Sequence, residues 1–574
     1  MKHGILLFLF LSIAVACVHA QEYPTDYFAQ PMTIAVNMAG DFAEIRSNHF
    51  HSGLDLRTDG KEGAKVYAPA DGYVSRINIS AWGGGKVLYI THPNGYKTVY
   101  MHLSAFCGTI GEYVRNYQYA NKVYAFDVEL PKDSIRVHKG DVVALSGNTG
   151  GSAGPHLHYE IRRAEDDQPI NPLYFGLKYE DRVAPIIDNI KVYSATEHGY
   201  VGKGRREVTL AERKRKGKSY VTVKTDTVAV CGRFYTGIYT YDRMEPSARN
   251  RNGVESIDLY VDGVLFWHYN VGTFLFSETR AINAIIDYPQ FRRTGEYYIL
   301  TRHLRGNRNS FGHATNGTGY MEFADGGLHR LEYRVSDYKG NTTRRVFFVR
   351  GTAAQAATDS AGGDHAKRPI SYYKRFTMLE NGFRVVINPG TIYENDYIVH
   401  RVQRDAAGLT EQHTIGLERH ALPPHEPILV AMPIPDKVDS ETRDKLVIVC
   451  VDGKRCTACP TRIEGTTLCA TSRSFGGFAV RLDTVAPTVK AVNFAEGKAF
   501  SGRQLTVKIG DDLSGVEKYE CILNGEWALA EHDGKTSSLA VDATLMRRGL
   551  NSVTFRVTDA VGNSTEQTWI VEKR

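Results

Sequence analysis

Residues 146–161 read SGNTGGSAGPHLHYEI, a glycine-rich run followed by a stretch in which polar and apolar side chains alternate. This alternation predicts a β-strand, on which His156, His158 and Glu160 share the polar face and the intervening Leu and Tyr share the apolar face. Two histidines on one face suit a metal site, but a chain with 20 histidines contains about one His-x-His by chance. The pattern therefore needs a second set of ligands elsewhere.

A second alternating stretch, HFHSGLD at residues 49–55, supplies such ligands. On a strand, His51 and Asp55 point to one side with only the hydrogen of Gly53 between them, which leaves room for an ion. Together with His158 they offer two imidazoles and one carboxylate. Three N/O ligands are typical of catalytic zinc sites, which keep a position for water, whereas structural sites are usually closed by four ligands rich in Cys. The sequence therefore predicts one catalytic Zn²⁺ per chain.

These motifs resemble those of the lysostaphin and LytM-type zinc peptidases, a family that cleaves peptide bonds in peptidoglycan and carries HxGxD followed far downstream by HLH. The resemblance covers residues from about 30 to 176 and implies an antiparallel-sheet peptidase domain with the duplicated hybrid motif. The matching segments are NHFHSGLD at 48–55, VYAPADGYV at 66–74, YMHLS at 100–104 and GNTGGSAGPHLHYE at 147–160.

In that family the histidines that correspond to His102 and His156 are catalytic and do not bind the metal. Taken alone, His102 at a strand end would be interpreted as a solvated side chain, and the match to YxHLS favours the catalytic role instead. His156 faces the same side as His158 and can act as a general base or as a donor to the developing oxyanion. The resemblance does not show which of the two histidines is the base.

The N-terminus predicts export from the cytoplasm. An apolar run at residues 5–18 leads into Val-His-Ala at residues 18–20, a pattern typical of a cleaved signal peptide at residues 1–20. Cys17 offers a lipoprotein as the alternative, although Ala14 stands where a lipobox normally has Leu. No later apolar run is long enough for a transmembrane helix, so we expect a protein of the periplasm or cell envelope. The net charge of +6 permits contact with anionic envelope polymers and does not indicate nucleic-acid binding.

A chain of 574 residues is too long for one compact core and predicts several domains. Three short motifs recur in the same order in the later part of the chain: Val-Ala-Pro, Gly-Val-Glu and an Asp-x-x-Gly-Asn turn. This recurrence predicts two copies of one immunoglobulin-like β-sandwich, the first with insertions, and an all-β fold throughout. The predicted regions are a zinc peptidase domain at 21–176, an Ig-like sandwich at 177–350, a linker at 351–368, a β domain at 369–484 and an Ig-like sandwich at 485–574.

Within the peptidase region, strands are predicted at 31–34, 65–68 and 72–79, with a hairpin at 87–102 that turns at Asn-Gly. Residues 105–137 exceed the compact family pattern by about twenty residues, so we predict an inserted lobe there. Its aromatic content fits two interpretations. The lobe either lines the active-site groove and shapes substrate choice, or it is packing material or a dimer contact.

A cluster of cysteines lies near the end of the predicted β domain, at Cys450, Cys456, Cys459 and Cys469. Four cysteines can hold a zinc ion or form two disulfides. Export favours disulfides, and a zinc ribbon would normally show a second paired CxxC, which this stretch lacks. We therefore predict disulfide bonding within the cluster.

Together these features predict an exported zinc metalloendopeptidase that hydrolyses the peptide cross-links of peptidoglycan. Its partners would be stem or cross-link peptides, and envelope proteins that bind the β-sandwich tail. Two other classes stay open: a non-catalytic activator of cell-wall amidases, as some family members with lost ligands are, and an envelope-binding structural protein. The intact His51, Asp55 and His158 count against the activator, while the sandwich fold hosts many functions and does not decide the structural alternative.

Overall fold

A computed structural model describes residues 23–196, 198–211, 213–216, 219–222, 227–246, 250–352, 368–405 and 409–574. The predicted signal peptide, including Cys17, and most of the predicted linker lie outside these residues. The described chain consists mainly of β-strands in antiparallel sheets, so the all-β prediction is confirmed. No helix in these ranges has the length and apolar character needed to cross a membrane.

The N-terminal region contains strands β1 to β14, helix α1 at Gly108–Asn121 and a 3₁₀ turn at Pro172–Phe175. The strands are β1 Met38–Gly40, β2 Ile45–Arg46, β3 His49–Phe50, β4 Leu54–Arg57, β5 Lys65–Tyr67, β6 Gly72–Ile79, β7 Lys86–Thr91, β8 Tyr96–Met101, β9 Ala105–Phe106, β10 Phe126–Glu129, β11 Arg136–Val137, β12 Val142–Leu145, β13 His156–Arg163 and β14 Pro169–Ile170. The principal sheet has the order β1-β4-β13-β8-β7-β6-β10, and a smaller sheet has the order β5-β12-β9.

The predicted strands at 65–68 and 72–79 correspond to β5 and β6, and the predicted hairpin corresponds to β7 and β8. The strand predicted at 31–34 is wrong, because these residues form a bend and the first strand starts at Met38. Tyr67 N donates to Pro31 O at 2.9 Å, which is a single contact with β5 and not the repeated ladder that defines a strand.

The apolar face of β13 forms the core under the site. Leu157, Tyr159 and Ile161 are fully buried, and they pack with Leu54 and Leu56 of the neighbouring β4. Because successive side chains of a strand point to opposite faces, burying this set directs the histidines of β13 to the other face of the sheet.

The inserted lobe at 105–137 folds as β9, α1, β10 and β11, and its helix was not predicted. Tyr117 of α1 packs on Phe126 with ring centroids 4.5 Å apart. Tyr119, on the same helix, makes an edge contact with Trp527 at 5.4 Å. The lobe therefore packs against the C-terminal part of the chain, and both interpretations of its role stay open.

The following region contains β15 to β27, with helices α2 Ile282–Ile285 and α3 Tyr288–Thr294 and a 3₁₀ turn at Phe276–Ala281. The strands are β15 Ile186–Ser194, β16 Tyr200–Val201, β17 Glu207–Ala211, β18 Arg213–Lys216, β19 Ser219–Thr222, β20 Thr227–Cys231, β21 Phe234–Tyr241, β22 Ser256–Val261, β23 Val264–Asn270, β24 Ile299–Leu300, β25 Gly312–Ala314, β26 Asp325–Ser336 and β27 Thr342–Thr352. Sheets of order β17-β15-β21-β24 and β16-β20-β27-β26-β22-β23-β25 share a core, and we call them the middle sandwich.

The last part of the chain contains β28 to β47 and 3₁₀ turns at Arg443–Lys445 and Ala543–Leu545. The strands are β28 Arg368–Ile370, β29 Phe376–Glu380, β30 Phe383–Ile387, β31 Asp396–Arg404, β32 Glu411–Leu417, β33 Ile428–Pro433, β34 Leu446–Asp452, β35 Arg455–Ala458, β36 Thr461–Glu464, β37 Thr467–Ser472, β38 Gly476–Leu482, β39 Thr488–Ala491, β40 Ala499–Phe500, β41 Gln504–Gly510, β42 Val516–Leu523, β43 Glu526–Ala528, β44 Ala530–Asp533, β45 Ser538–Asp542, β46 Gly549–Asp559 and β47 Ser564–Lys573. Strands β28 to β38 form two sheets around one core, and β39 to β47 form two sheets that we call the C-terminal sandwich.

The two sandwiches repeat one strand order. The order β20-β27-β26-β22-β23 in the middle sandwich has the counterpart β40-β47-β46-β42-β43 in the C-terminal one. In each, the first pair is parallel and the remaining pairs are antiparallel. The recurrent Asp-x-x-Gly-Asn turn joins β26 to β27 and β46 to β47. The exact extents of the predicted domains stay predictions.

The predicted disulfides are wrong, because Cys450, Cys456, Cys459 and Cys469 all carry free thiols. Cys450 lies opposite Thr457 on the neighbouring strand and Cys456 lies opposite Val451, so the two thiols point to opposite faces of the sheet. Cys469 belongs to β37 in the other sheet, where its Sγ lies 3.5 Å from a carboxylate oxygen of Glu464. Cys459 lies near Cys450, and both thiols are free, so closeness in sequence did not lead to disulfide bonding.

Candidate active site

Three predicted metal ligands converge on one face of the principal sheet. His51 follows β3, Asp55 lies on β4, and His158 lies on β13 directly opposite Asp55. The His51 Nε2 atom is 3.0 Å from Asp55 Oδ1 and 2.9 Å from His158 Nδ1, and His158 Nδ1 is 3.0 Å from Asp55 Oδ1. All three side chains are buried. The strand register therefore places two imidazole nitrogens and one carboxylate oxygen at the corners of a nearly equilateral triangle.

This triangle fits a zinc ion. Zinc bonds of about 2.0–2.1 Å in tetrahedral geometry separate the ligand atoms by roughly 3.3 Å, close to the spacing found between His51, Asp55 and His158. Gly53, which was expected to leave room for the ion, also allows a close approach of two strands. A Cβ at this position would clash with Tyr159 O and lie 2.8 Å from Glu160 Cγ, so glycine is needed for β13 to approach this closely.

The remaining ring nitrogens of both ligand histidines are held by oxygen atoms. His51 Nδ1–H donates to the carbonyl oxygen of Asp41 at 2.6 Å, and His158 Nε2–H donates to Glu160 Oε1 at 2.9 Å. These bonds fix the tautomers and leave a lone pair on His51 Nε2 and on His158 Nδ1, the two atoms of the triangle. Such partners orient the ligands of metal sites and raise their basicity.

Sequence reasoning missed the roles of Glu160 and Arg46. Glu160 is fully buried, accepts a hydrogen bond from Ser52 Oγ at 2.6 Å and forms an ion pair with Arg162. Arg46 Nη2 lies 2.6 Å from Asp55 Oδ2, so it neutralises the ligand carboxylate from the side away from the triangle. The signal for Glu160 was its place as the third polar residue on the face of β13, whereas Arg46 followed from no pattern in the sequence.

The two predicted catalytic histidines lie beside the triangle and outside it. The rings of His102 and His156 have centroids 4.9 Å apart, and His156 Nε2 is 3.3 Å from Asp55 Oδ1. His102 Nδ1–H donates to Thr149 O and His156 Nδ1–H donates to Gly154 O, both at 2.8 Å. Nδ1 of each ring is thus engaged by a backbone carbonyl, and Nε2 is the nitrogen left for proton transfer, that of His156 facing the Asp55 carboxylate.

His102 also has a left-handed backbone, with φ of 61°, which is uncommon for a residue other than glycine. Its N–H donates to Gly84 O at 2.8 Å, a bond that helps to hold this conformation. Strained backbone of this kind is concentrated at functional sites, where the surrounding structure stabilises it. The conformation turns the histidine at the end of β8 toward the metal ligands, with its ring centroid 6.0 Å from that of His158.

Burial and neighbouring charges give the histidines of the candidate site different protonation states. Burial lowers the pKa of His51 to about 4 and that of His102 to about 3, so both are neutral at pH 7. Burial also opposes the charged form of His158, but hydrogen bonds to Asp55 and Glu160 outweigh it and raise its pKa to about 9. Without a metal, His158 therefore holds a proton that a metal ion has to displace.

The rim of the site touches both sandwiches. Phe50 N, next to the ligand His51, donates to Thr279 Oγ1 of the middle sandwich at 2.8 Å. Lys86, whose backbone N–H donates to Thr149 Oγ1, pairs through Nζ with Glu531 of the C-terminal sandwich at 3.0 Å. Both later parts of the chain therefore contact the N-terminal region near residues of the candidate site.

Comparison with known families agrees with this geometry. Residues 49–125 and 117–172 match the family model of peptidase family M23. These ranges include the predicted metal ligands and catalytic histidines, which are His51, Asp55, His102, His156 and His158. Residues 49–172 form an M23 peptidase domain. The M23 domain is the lysostaphin-type domain expected from the motifs. A separate stretch of the chain, residues 367–483, matches a Zu5-like domain.

Curated relatives align over stretches about as long as the M23 domain. An uncharacterized metalloprotease of Haemophilus influenzae is 37% identical over 123 residues, which is 21% of this chain and 20% of the relative. The DD-carboxypeptidase/endopeptidase Mpg of Neisseria meningitidis serogroup B is 34% identical over 127 residues, covering 22% and 23% of the two chains. The peptidoglycan DD-endopeptidase ShyA of Vibrio cholerae is 33% identical over 111 residues, covering 19% and 20%. The chain thus spans about a fifth of the length of these relatives.

Solved structures similar to this chain include two M23-type catalytic domains. One is the catalytic domain of a mutant of the prophage-encoded M23 protein EnpA from Enterococcus faecalis, with 24% identity, a TM-score of 0.19, and coverage of 27% of this chain and 98% of that one. The other is the catalytic domain of lysostaphin from Staphylococcus simulans, with 20% identity, a TM-score of 0.18, and coverage of 25% and 93%.

Proposed function

We propose that this chain is a zinc metalloendopeptidase of the cell envelope that hydrolyses peptide cross-links of bacterial peptidoglycan. The observation that carries the proposal is the triangle of His51 Nε2, Asp55 Oδ1 and His158 Nδ1, with His102 and His156 beside it. The relative Mpg is named as a DD-carboxypeptidase/endopeptidase and ShyA as a peptidoglycan DD-endopeptidase, which supports a bond between two D-amino acids as the target. The envelope location rests on the predicted signal peptide.

A zinc ion held by the triangle would act as a Lewis acid toward the scissile carbonyl and lower the pKa of a bound water to about 7. The chain itself supplies proton transfer. His102 and His156 have Nδ1 engaged with backbone carbonyls, so Nε2 of one can accept the proton of the attacking water and later return it to the leaving amine. The other can donate to the developing oxyanion in its imidazolium form, whose second proton is taken up from solvent.

The test separates metal binding from chemistry by substituting the two groups of residues independently. Alanine at His51, Asp55 or His158 should abolish both zinc content and the release of peptides from purified sacculi, because a two-ligand site holds the ion far more weakly. Alanine at His102 or His156 should leave zinc in place and slow cleavage by about a hundredfold or more. Zinc is measured by metal analysis and products by mass spectrometry of defined cross-linked muropeptides.

A matched control is His138→Ala, because His138 is exposed and belongs to the same domain but lies outside the site. This variant should keep both zinc and activity. The mechanism would be wrong if His156→Ala lost zinc as completely as His158→Ala does. If the zinc-loaded wild-type chain left every cross-linked muropeptide intact, the enzyme proposal would fail and the amidase-activator alternative would replace it.

A further inference from the structure

Three aspartates converge at the junction between the M23 domain and the middle sandwich. Asp181 lies in the segment that enters the sandwich, Asp242 follows β21, and Asp337 follows β26. One carboxylate oxygen from each lies within 4.8 Å of the others. None of these aspartates belongs to the candidate active site, and the group takes no part in the proposed hydrolysis.

The same arrangement recurs in the C-terminal sandwich with Asp483, Asp511 and Asp559, whose carboxylate oxygens also lie within 4.8 Å of one another. The positions correspond between the two sandwiches. The first aspartate of each group opens an Asp-x-Val-Ala-Pro motif, the second directly follows the strand paired with the entry strand, and the third opens the Asp-x-x-Gly-Asn turn. Because like charges are clustered at equivalent positions of both copies, the two sandwiches share one structural feature at these positions.

Buried oxygen atoms beside the first cluster have no hydrogen-bond partner. Asp242 is only 5% exposed, and its Oδ1 atom is unpartnered. Asn252 is 3% exposed, its Oδ1 atom is also unpartnered, and its backbone is bonded to that of Asp242 in both directions at 2.9 and 3.0 Å. An unpaired buried acceptor is costly, so each such atom needs an explanation, of which an ion is one.

The second cluster has the same deficit at the same positions. Asp511 and Ser514 are half-buried as residues, but the Oδ1 atom of Asp511 and the Oγ atom of Ser514 are enclosed and have no partner. Ser514 directly precedes a Gly-Val-Glu motif, as Asn252 does in the middle sandwich, and its backbone N–H donates to Asp483 Oδ2 at 3.0 Å. Each cluster thus has two side chains with an unsatisfied oxygen atom: one of its own aspartates and the residue that precedes the Gly-Val-Glu motif. The latter is Asn252 at the first cluster and Ser514 at the second.

These carboxylates accept hydrogen bonds from backbone N–H groups, mostly of their own turns, and Lys339 acts on Asp181 electrostatically without forming an ion pair. Within the described residues, no Lys or Arg nitrogen forms an ion pair with any of the six aspartates. Burial raises the pKa of Asp242 to about 8, and the charges of Asp181 and Asp337 add to this effect. The protein therefore brings acidic groups together at a cost that a bound cation would offset.

We propose that each aspartate cluster binds one Ca²⁺ ion, giving two calcium sites per chain. The available donors are carboxylate, amide and hydroxyl oxygens with no nitrogen or sulfur, which selects a hard cation. Calcium accepts six to eight oxygen ligands in flexible geometry, which suits donors from three separate loops, whereas Mg²⁺ demands near-ideal octahedral geometry and usually keeps several waters.

The sites would stiffen the joints between domains. In each cluster the first aspartate comes from the segment that connects the sandwich to the preceding part of the chain, and Asp483 is the last residue matched by the Zu5-like domain. The first site also adjoins the N-terminal region, because Gly253 N donates to Asp41 Oδ1 at 2.7 Å. The carbonyl oxygen of the same Asp41 holds the ligand His51, so calcium at the first site would brace the candidate active site.

Isothermal titration of the full chain with CaCl₂ in calcium-free buffer tests the proposal. The wild type should bind two Ca²⁺ ions, Asp242→Asn and Asp511→Asn one each, and the double variant none. Asp325→Asn is the matched control, because it makes the same change on β26, far from the cluster end of that strand, and should leave two sites. Fewer than two ions in the wild type, or unchanged stoichiometry in both single variants, would overturn the proposal.

Thermal unfolding gives a readout that does not require the variants to bind. Calcium should raise the melting temperature of the wild type more than equimolar Mg²⁺ does, because it binds the folded state preferentially. In calcium-free buffer, Asp242→Asn should melt no lower than the wild type, since it removes repulsion among carboxylates. A large loss of stability of this variant without calcium would indicate an ordinary structural aspartate and count against an ion site, as would a wild-type melting temperature that is insensitive to calcium.

Discussion

Replacing Glu160 with Gln tests whether a residue that cannot touch the metal controls its binding. Glu160 Oε1 accepts from His158 Nε2–H at 2.9 Å, and its other oxygen pairs with Arg162, so the carboxylate both orients the ligand ring and balances a buried cation. Gln keeps the shape and one acceptor oxygen but loses the charge. Removing a partner of this type typically weakens metal affinity about 10–100-fold, which corresponds to about 1.4–2.7 kcal/mol.

The same substitution should also destabilise the fold. It leaves the buried guanidinium of Arg162 without its carboxylate, and breaking a buried ion pair costs about 3–5 kcal/mol. The Arg162 guanidinium also lies 4.6 Å from the ring centroid of Phe276, a contact that persists in the variant, so we expect about 3 kcal/mol, the lower end of this range. Urea unfolding of the zinc-free chain measures this cost separately from the metal.

The zinc affinity of the Glu160→Gln variant should be compared at two pH values, by competition with a chromophoric chelator. At pH 7 zinc has to displace the proton from His158 in the wild type, where the pKa of this residue is about 9. Glu160 helps to raise that pKa, so zinc meets less competition from the proton in the variant. At pH 9 and above the competition fades in both proteins, and the full loss of affinity appears. The exposed Glu165→Gln change on the hairpin after β13 is the matched control and should be neutral. If Glu160→Gln bound zinc within twofold of the wild type at pH 9, the reasoning would be refuted.

Two further predictions concern the ligand strands. The folded-state pKa of His158 is raised to about 9, so the metal-free site is protonated at pH 7. Zinc binding at pH 7 should therefore release about one proton and should tighten as the pH rises toward 9. Calorimetry in buffers of different ionisation enthalpy measures this release, and a binding enthalpy that does not depend on the buffer would contradict it. Gly53→Ala should separate β4 from β13, because its Cβ would clash with Tyr159 O, and we expect loss of zinc together with a lower melting temperature. The control Gly154→Ala, at a position where a Cβ meets nothing within 4 Å, should keep the zinc and the wild-type melting temperature.

The elements of the M23 domain that follow a simple period could be predicted from the sequence. Strands β5 to β8 lie where alternation and the Asn-Gly turn placed them, and the polar face of β13 carries its histidines as expected. Helix α1 was missed because its buried stripe consists only of Ile110, Val114 and Gln118, and Gln118 is buried by donating to Tyr124 O beyond the helix, a contact that the sequence does not report. The disulfide prediction failed for a related reason, since spacing in the chain does not report which face or sheet a thiol occupies.

The sequence alone determined which residues can bind the metal, because His51, Asp55 and His158 are identified by residue type, by their period-two spacing and by motifs that surround them. Only the tertiary structure decided how these ligands are held. Asp41, Arg46 and Glu160 reach the ligands through strand register and loop packing, and Gly253 of a different sandwich holds Asp41. Local periodicity fixes the face on which a side chain lies, whereas hydrogen-bond partners depend on which segments meet in space, and that is set by packing across the whole chain.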